Sequence, residues 1–181
     1  MPKINTISIS RIAILAALYV LLTLVSVRAG NLRITFASLP VVVIALLCGP
    51  WEAALTALIG EFLNQMLFYG FTATTALWIL PPAVRGVCVG LAAAACLRSG
   101  RPLERRVLPY YAVCILAAAL TTVCNTACLY VDSRLFHYYT PALIFGDLAV
   151  RFLTGVVTAA AVASAALPVA SLLRRQLDLR A

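Results

Sequence analysis

Long apolar runs separated by short polar stretches make up most of this chain. Several runs approach the roughly 20 residues that a helix needs to cross about 30 Å of hydrocarbon. None shows the alternation of apolar and polar residues that a transmembrane barrel strand requires. The pattern predicts an all-α integral membrane bundle of about six transmembrane helices. Residues 1–181 are expected to form a single transmembrane domain, because no linker or internal repeat is visible.

Turn residues and prolines mark the ends of the predicted helices. Gly49 and Pro50 indicate a tight connection, and the Pro81–Pro82 pair suits the start of a helix. Pro168 predicts a tilt or kink within the last apolar run. The six predicted helices cover residues 10–27, 36–48, 51–69, 81–97, 108–130 and 142–173.

Composition and charge agree with a membrane protein. Hydrophobic residues account for 64% of the chain and charged residues for 11%, against roughly 45–50% and 25% in soluble domains. The net charge of +8 could indicate a nucleic-acid partner, but most arginines directly follow apolar runs, as in cytoplasmic loops. These arginines are Arg98, Arg101, Arg105, Arg106, Arg174, Arg175 and Arg180. We expect a multi-pass protein with both termini in the cytoplasm and no nucleic-acid partner.

Ionisable residues occur inside the apolar runs, where hydrocarbon penalises a charge by about 2.5 kcal/mol or more. They are Glu61, Arg85, Asp147 and Arg151. In the predicted topology they lie in the outer half of the bundle, as do Asn64, Gln65 and Asn125. This asymmetry predicts a water-accessible pocket that opens outward. The alternative is structural, with Asp147 pairing with Arg151 along one helix and Glu61 with Arg85 between two helices.

The predicted outer loops carry excess positive charge and many aromatic rings. Arg28, Arg33 and Arg134 outnumber Asp132 there, which suits an anionic ligand. The rings could stack on a flat heterocycle or form an ordinary interfacial belt. These aromatic residues are Tyr69, Phe71, Trp78, Phe136, Tyr138 and Tyr139. The predicted ligand-binding residues are Arg33, Glu61, Asn64, Gln65, Trp78, Arg85, Asn125 and Arg151.

Motifs for catalysis, cofactors or metals are missing from the sequence. There is no GxxxxGK[ST] loop, no HExxH and no GxSxG. The six cysteines lie in or beside apolar runs without a CxxC pair, and His137 is the only histidine. We therefore expect a protein that is not an enzyme and that has no cofactor or metal site. An intramembrane enzyme, or a stand-alone proton-coupled transporter or channel with Glu61 and Asp147 as the relay, is the alternative.

Small residues on the first helix indicate a surface for another subunit. Ala13, Ala16 and Ala17 lie near its predicted cytoplasmic end, and Ala13 with Ala17 forms a small-xxx-small pair. Small residues let two helix backbones approach closely in lipid. A transporter of this size without two related halves is expected to take its energy from another polypeptide.

Four segments resemble the substrate-binding S component of energy-coupling factor (ECF) vitamin transporters. They are RIAILAALYV at residues 11–20, LRITFASLP at 32–40, LCGP at 47–50, and Arg85–Gly86. The resemblance implies a bacterial membrane subunit that captures a vitamin from outside and topples in the membrane when ATP is hydrolysed. Its partners would be a transmembrane coupling subunit, docked at the helix-1 alanines, and two ATPase subunits.

The resemblance also implies details of the site. The loop at residues 28–33 would act as a gate over the pocket. The whole chain would form a single substrate-binding domain. LRITFASLP and Arg85–Gly86 are most similar to folate-type members, although the loop FYGFTATTALW lacks their Pro-Gly-Phe. Riboflavin, pantothenate or another heterocyclic precursor remains open as the ligand.

Overall fold

The computed structural model describes residues 5–29 and 32–178, with side chains for residues 5–26 and 35–176. The described chain is a helical bundle with one short β-hairpin, which confirms the all-α fold class. Its helices are α1 Thr6–Leu24, α2 Ser38–Cys48, α3 Pro50–Phe68, α4 Thr75–Trp78, α5 Leu80–Arg98, α6 Val107–Leu135, α7 Pro141–Phe145 and α8 Leu148–Asp178. The hairpin pairs β1 Val27–Ala29 with β2 Leu32–Ile34, and a 3-10 helix covers Leu103–Arg105.

Six long helices correspond to the six predicted ones, with differences at their ends. The helix predicted at 108–130 continues to Leu135, and the one predicted at 142–173 is divided into α7 and α8. Pro168 lies inside α8 without ending it. The predicted gate at 28–33 lies within the hairpin, whose strands begin at Val27 and end at Ile34, and residues 30 and 31 lie outside the described part of the chain.

Four described segments are long and apolar enough to cross a membrane: Thr6–Leu24, Thr75–Arg98, Val107–Leu135 and Pro141–Gln176. The two remaining long helices differ from these in length or polarity. α2 has 11 residues, and thus spans only about 17 Å. α3 has 19 residues but includes Glu52, Glu61, Asn64 and Gln65.

The short helix α2 forms the centre of the bundle. Every residue from Pro40 to Leu46 is buried, so α2 is covered on all sides, as expected for a helix that is apolar all round. It packs against α1, α3, α5 and α8. α5 also lies very close to α3: a Cβ at Gly90 would be 2.4 Å from Pro50 Cα, and one at Gly86 would be 3.0 Å from the Ala53 carbonyl. Only glycine at these two positions lets α5 lie this close to α3. Because Arg85 precedes Gly86 on α5, the same contact fixes where Arg85 lies.

A buried ion pair ties three parts of the bundle together at one end. Glu104 in the 3-10 helix pairs with Arg174 on α8. The Arg174 Nη2 also donates to the carbonyl of Leu46, 2.6 Å away, near the end of α2. Arg98 and Arg175 lie in the last turns of α5 and α8, at the same end of the bundle. We call the end that carries Arg98, Arg174 and Arg175 the arginine-rich end.

Candidate functional site

A cavity of about 780 Å³ lies at the end of the bundle opposite the arginine-rich end. Its walls come from the last turns of α1, α3 and α6 and the first turns of α2, α5 and α8, because these helices alternate in direction. Seven of the eight predicted ligand-binding residues line it. They are Glu61, Asn64, Gln65, Trp78, Arg85, Asn125 and Arg151. The eighth, Arg33, lies in β2, and its side chain is outside the described part.

Glu61 is the centre of a hydrogen-bond network on one wall of the cavity. The residue is 9% exposed. The Tyr19 hydroxyl donates to Oε2 at 2.6 Å, Asn64 Nδ2 donates to Oε1 at 3.1 Å, and Gln65 Nε2 donates to Oε1 at 2.9 Å. A Cβ at Gly60 would lie 2.8 Å from Tyr19 Cγ, so this glycine lets α1 approach α3 closely enough for the Tyr19–Glu61 bond.

Arg85 faces Glu61's cavity without an ion pair. Among side chains of residues 5–26 and 35–176, an ion pair within 4 Å joins only Arg174 and Glu104. The Arg85 Nε is buried and has no hydrogen-bond partner in this part of the chain. Burying a cation without a partner is costly, so a negatively charged or acceptor group in the cavity would be stabilised there. The structure thus shows no Glu61–Arg85 pair.

The other proposed structural pair is absent from the described side chains as well. Arg151 reaches back to α7, where its Nη2 donates to the carbonyl of Leu143 at 3.3 Å. The bond between Arg151 and Asp147 is the backbone bond of the helix, at 2.9 Å. Asp147 itself is exposed and does not line the cavity.

Threonines form much of the cavity wall, and sequence reasoning missed them. Five of them donate their hydroxyl to the carbonyl four residues earlier in the helix, at 2.7–3.0 Å. This bond satisfies the donor inside the membrane and leaves oxygen lone pairs to face the cavity. The five are Thr23, Thr121, Thr122, Thr154 and Thr158. Threonine barely lowers hydropathy, but four of these five lie within two helical turns of Asn125 or Arg151 in the sequence, which was a usable signal; Thr23 on α1 had none.

The mouth of the cavity includes an acid that was assigned to a loop. Asp132 lies in the last turn of α6, is 9% exposed, and accepts a hydrogen bond from the Tyr138 hydroxyl. This bond, with partial burial and the charge of Asp132, raises the pKa of Tyr138 to about 12. Of the aromatic residues named from the sequence, Tyr69, Trp78 and Phe136 line the cavity. The Tyr139 ring instead packs over the Arg134 guanidinium at 4.5 Å.

The predicted docking alanines divide between two faces of α1. Ala13 and Ala17 are exposed, on the same side of the helix as Ile14 and Leu21. Ala16 is 1% exposed and faces the interior of the bundle. The surface available to another helix therefore contains the small-xxx-small pair but not Ala16.

This architecture is that of a helical membrane protein with a large cavity at one end, into which charged and amide side chains project. Residues 8–173 match the model of the family described as "ECF transporter, substrate-specific component", and the chain belongs to that family. Members are membrane-embedded transport subunits and not enzymes, and membership implies a substrate ligand and partner subunits of an ECF transporter.

The fold is also similar to that of a solved protein. The structure described as "Structure and mechanism of the S component of a bacterial ECF transporter" aligns with a TM-score of 0.60 and 18% identity, covering 94% of this chain and 95% of that one. At this identity the likeness supports the fold alone. No curated protein matches the sequence.

Proposed function

We propose that this protein is the membrane-embedded substrate-binding subunit of an ATP-driven ECF importer that captures a vitamin or related micronutrient from outside a bacterial cell. The observation that carries the proposal is the cavity, whose volume of about 780 Å³ falls within the roughly 300–1,000 Å³ of small-molecule sites. Charged, amide and aromatic side chains converge on it, as they do in sites that select one ligand.

The distribution of charge supports an outward-facing cavity. The arginine-rich end lies opposite the cavity, and arginine-rich loops are retained on the cytoplasmic side of membranes. In this proposed orientation both termini would face the cytoplasm, since α1 begins and α8 ends at the arginine-rich end.

Folate is our leading candidate for the ligand. The buried and unpaired Arg85 Nε, together with Arg151, favours a carboxylate, and Trp78, Tyr69 and Phe136 offer rings against which a flat heterocycle can stack. Folate combines both features. Another B vitamin or a heterocyclic precursor with a flat ring and an anionic group fits the same argument.

The exposed face of α1 is the proposed contact with the coupling subunit, which in turn would bind two ATPase subunits. Ala13 and Ala17 allow a partner helix to approach α1 closely. The alternative, a stand-alone proton-coupled transporter or channel, needs a relay between Glu61 and a second acid. Asp147, the acid predicted for that role, is exposed and does not line the cavity, whereas Asp132 lines it and accepts a hydrogen bond from Tyr138.

A ligand screen tests the binding function. The purified full-length chain is heated with folate, riboflavin, pantothenate, thiamine, biotin or cobalamin. A compound at 100 times its Kd should stabilise the protein by about 2.7 kcal/mol. Arg85→Gln should raise the Kd of an anionic ligand about 10-fold or more, because a hydrogen bond to a charged group contributes about 1.5–3 kcal/mol. Arg175→Gln, at the opposite end, is the matched control. No shift with any compound would refute the binding function.

Reconstituted vesicles test the partnership. With the coupling subunit, the ATPases and ATP, the chain should support uptake of the compound found in the screen, whereas the chain alone should bind it without sustained uptake. Ala13→Leu with Ala17→Leu should abolish uptake and leave the Kd unchanged, and Ala161→Leu, an exposed alanine on α8, should do neither. Uptake by the chain alone, lost when a proton gradient is dissipated, would support the alternative.

A further inference from the structure

The carboxylate of Glu61 is already occupied by the protein. A carboxylate offers about four lone-pair sites, and three donors from Tyr19, Asn64 and Gln65 occupy three of them within 3.1 Å. Tyr19 comes from α1, and the two amides come from the turn of α3 that follows Glu61. About one lone-pair site remains, so a ligand could add at most a single bond to this carboxylate without displacing one of these donors.

The same bonds fix which way the two amides point. Asn64 and Gln65 must turn their NH2 groups toward Glu61, because a reversed amide would place a carbonyl oxygen against a carboxylate oxygen. Their carbonyl oxygens are thereby held on the other side of each amide. Asn64 as a residue is 4% exposed, and its Oδ1 is buried with no hydrogen-bond partner among the described residues.

A buried carbonyl oxygen without a donor is unusual in native proteins and requires an explanation. Asn64 lines the cavity, so a donor on a bound molecule is the explanation that the site itself offers. Gln65 also lines the cavity and is held by the same carboxylate oxygen, which places a second amide beside the first. Two amides held by one carboxylate oxygen suit the donor edge of a nitrogen heterocycle.

Resting on the proposed function, we propose that Glu61 is a positioning residue that does not touch the ligand. It holds the amides of Asn64 and Gln65 so that their carbonyl oxygens accept hydrogen bonds from ring N–H groups. The ligand class is therefore a heterocycle with an N–H edge, oriented with its anionic or acceptor group toward Arg85. A cationic ligand paired with Glu61 is the opposing hypothesis.

The first step of the test finds a probe. Folate, riboflavin and biotin carry ring N–H donors, and thiamine carries a fixed ring cation; each is titrated against the detergent-purified full-length chain. Binding of at least one of the first three is expected. If only thiamine or another compound without a ring N–H edge binds, the substrate-binding function stands and this inference is overturned. If no compound of the full six-compound screen binds, both fall.

The second step is a double-mutant cycle with the N–H compound that binds. Glu61→Gln alone should raise its Kd about 10-fold, since two neutral hydrogen bonds together account for roughly a 5- to 150-fold effect. In the Asn64→Ala/Gln65→Ala background, the same Glu61→Gln change should alter the Kd by less than about 2-fold, because its effect passes through those amides. Persistence of the full effect in that background would mean that Glu61 contacts the ligand directly.

Two controls keep the cycle interpretable. Asn125→Ala changes a cavity residue on α6 with no bond to Glu61, so its effect should multiply with that of Glu61→Gln. If Glu61→Gln does not fold, Glu61→Asp replaces it in the cycle, since it keeps the carboxylate but draws it away from the amides. Multiplicative behaviour of either Glu61 variant with the double alanine background overturns the proposal.

Discussion

Removing one member of the Glu104–Arg174 pair should destabilise the protein far more than removing both. The Glu104 side chain is 4% exposed and that of Arg174 is 19% exposed. Arg174→Met leaves the Glu104 carboxylate buried without its cation, and leaves the Leu46 carbonyl without its donor. Loss of one partner from a buried pair costs about 3–5 kcal/mol. We expect a loss near this range in the free energy of unfolding.

The double variant Arg174→Met/Glu104→Leu removes both charges together. Apolar replacements of a buried pair are often neutral or stabilising, so only the bond to Leu46 should remain lost, at about 1.5–3 kcal/mol. Arg175→Met, one residue along α8 and exposed, should change the stability by no more than about 0.5 kcal/mol.

Reversible unfolding in mixed detergent and SDS measures these differences, with helix content followed by circular dichroism. The expected order of stability is Arg175→Met, then the double variant, then Arg174→Met. An Arg174→Met protein as stable as Arg175→Met would show that the pair does not hold α8 to the 3-10 helix. A double variant no better than the single one would show that the cost does not come from the stranded carboxylate.

Two further predictions concern the cavity. Gly60→Ala should destabilise the protein by about 1–3 kcal/mol, because the new methyl would lie within 3.0 Å of three Tyr19 atoms. Gly155→Ala is the control and should cost less, since the atom nearest to its new methyl is 3.2 Å away. Equal losses of stability for the two variants in SDS unfolding would contradict the close approach of α1 to Gly60. Asp132→Asn should lower the pKa of Tyr138 from about 12 toward 10, because the carboxylate favours the protonated phenol. The stabilisation from this raised pKa is present below pH 10 and is lost as the pH passes 12. The difference in absorbance at 295 nm between the protein and its Tyr138→Phe variant measures the titration of Tyr138. The same Tyr138 titration with and without Asp132→Asn would exclude the bond.

Hydropathy predicted the bundle well because each long helix must satisfy its own backbone in lipid. It was wrong about where some helices end. Asp132 and Arg134 look like loop residues by polarity, yet they lie in the last turn of α6. The β-hairpin at Val27–Ala29 and Leu32–Ile34 left no strong signal, since its strands have only three residues each.

The candidate site was predictable in its charged residues and not in its pairings. Glu61, Arg85 and Arg151 stand out because lipid penalises charge, and the structure brings them to one cavity. The pairing of polar groups depends on how each helix is rotated about its axis and on how closely neighbouring helices approach. The i, i+4 spacing of Asp147 and Arg151 does not reveal either. Tyr19 was missed because an interfacial or core tyrosine looks the same in sequence as one that satisfies a buried carboxylate.

The polarity of α3 connects the site to the way the bundle is held together. α3 is 19 residues long, enough to cross the membrane, but it is not among the described segments that are apolar enough to do so by composition. A carboxylate such as that of Glu61 is costly in lipid, and Tyr19 of α1 supplies one of its three donors. The residues that organise the cavity therefore also make α3 depend on its contact with α1, through the close approach at Gly60. The proposed ligand site and the packing of α1 on α3 thus share the same contacts on this wall.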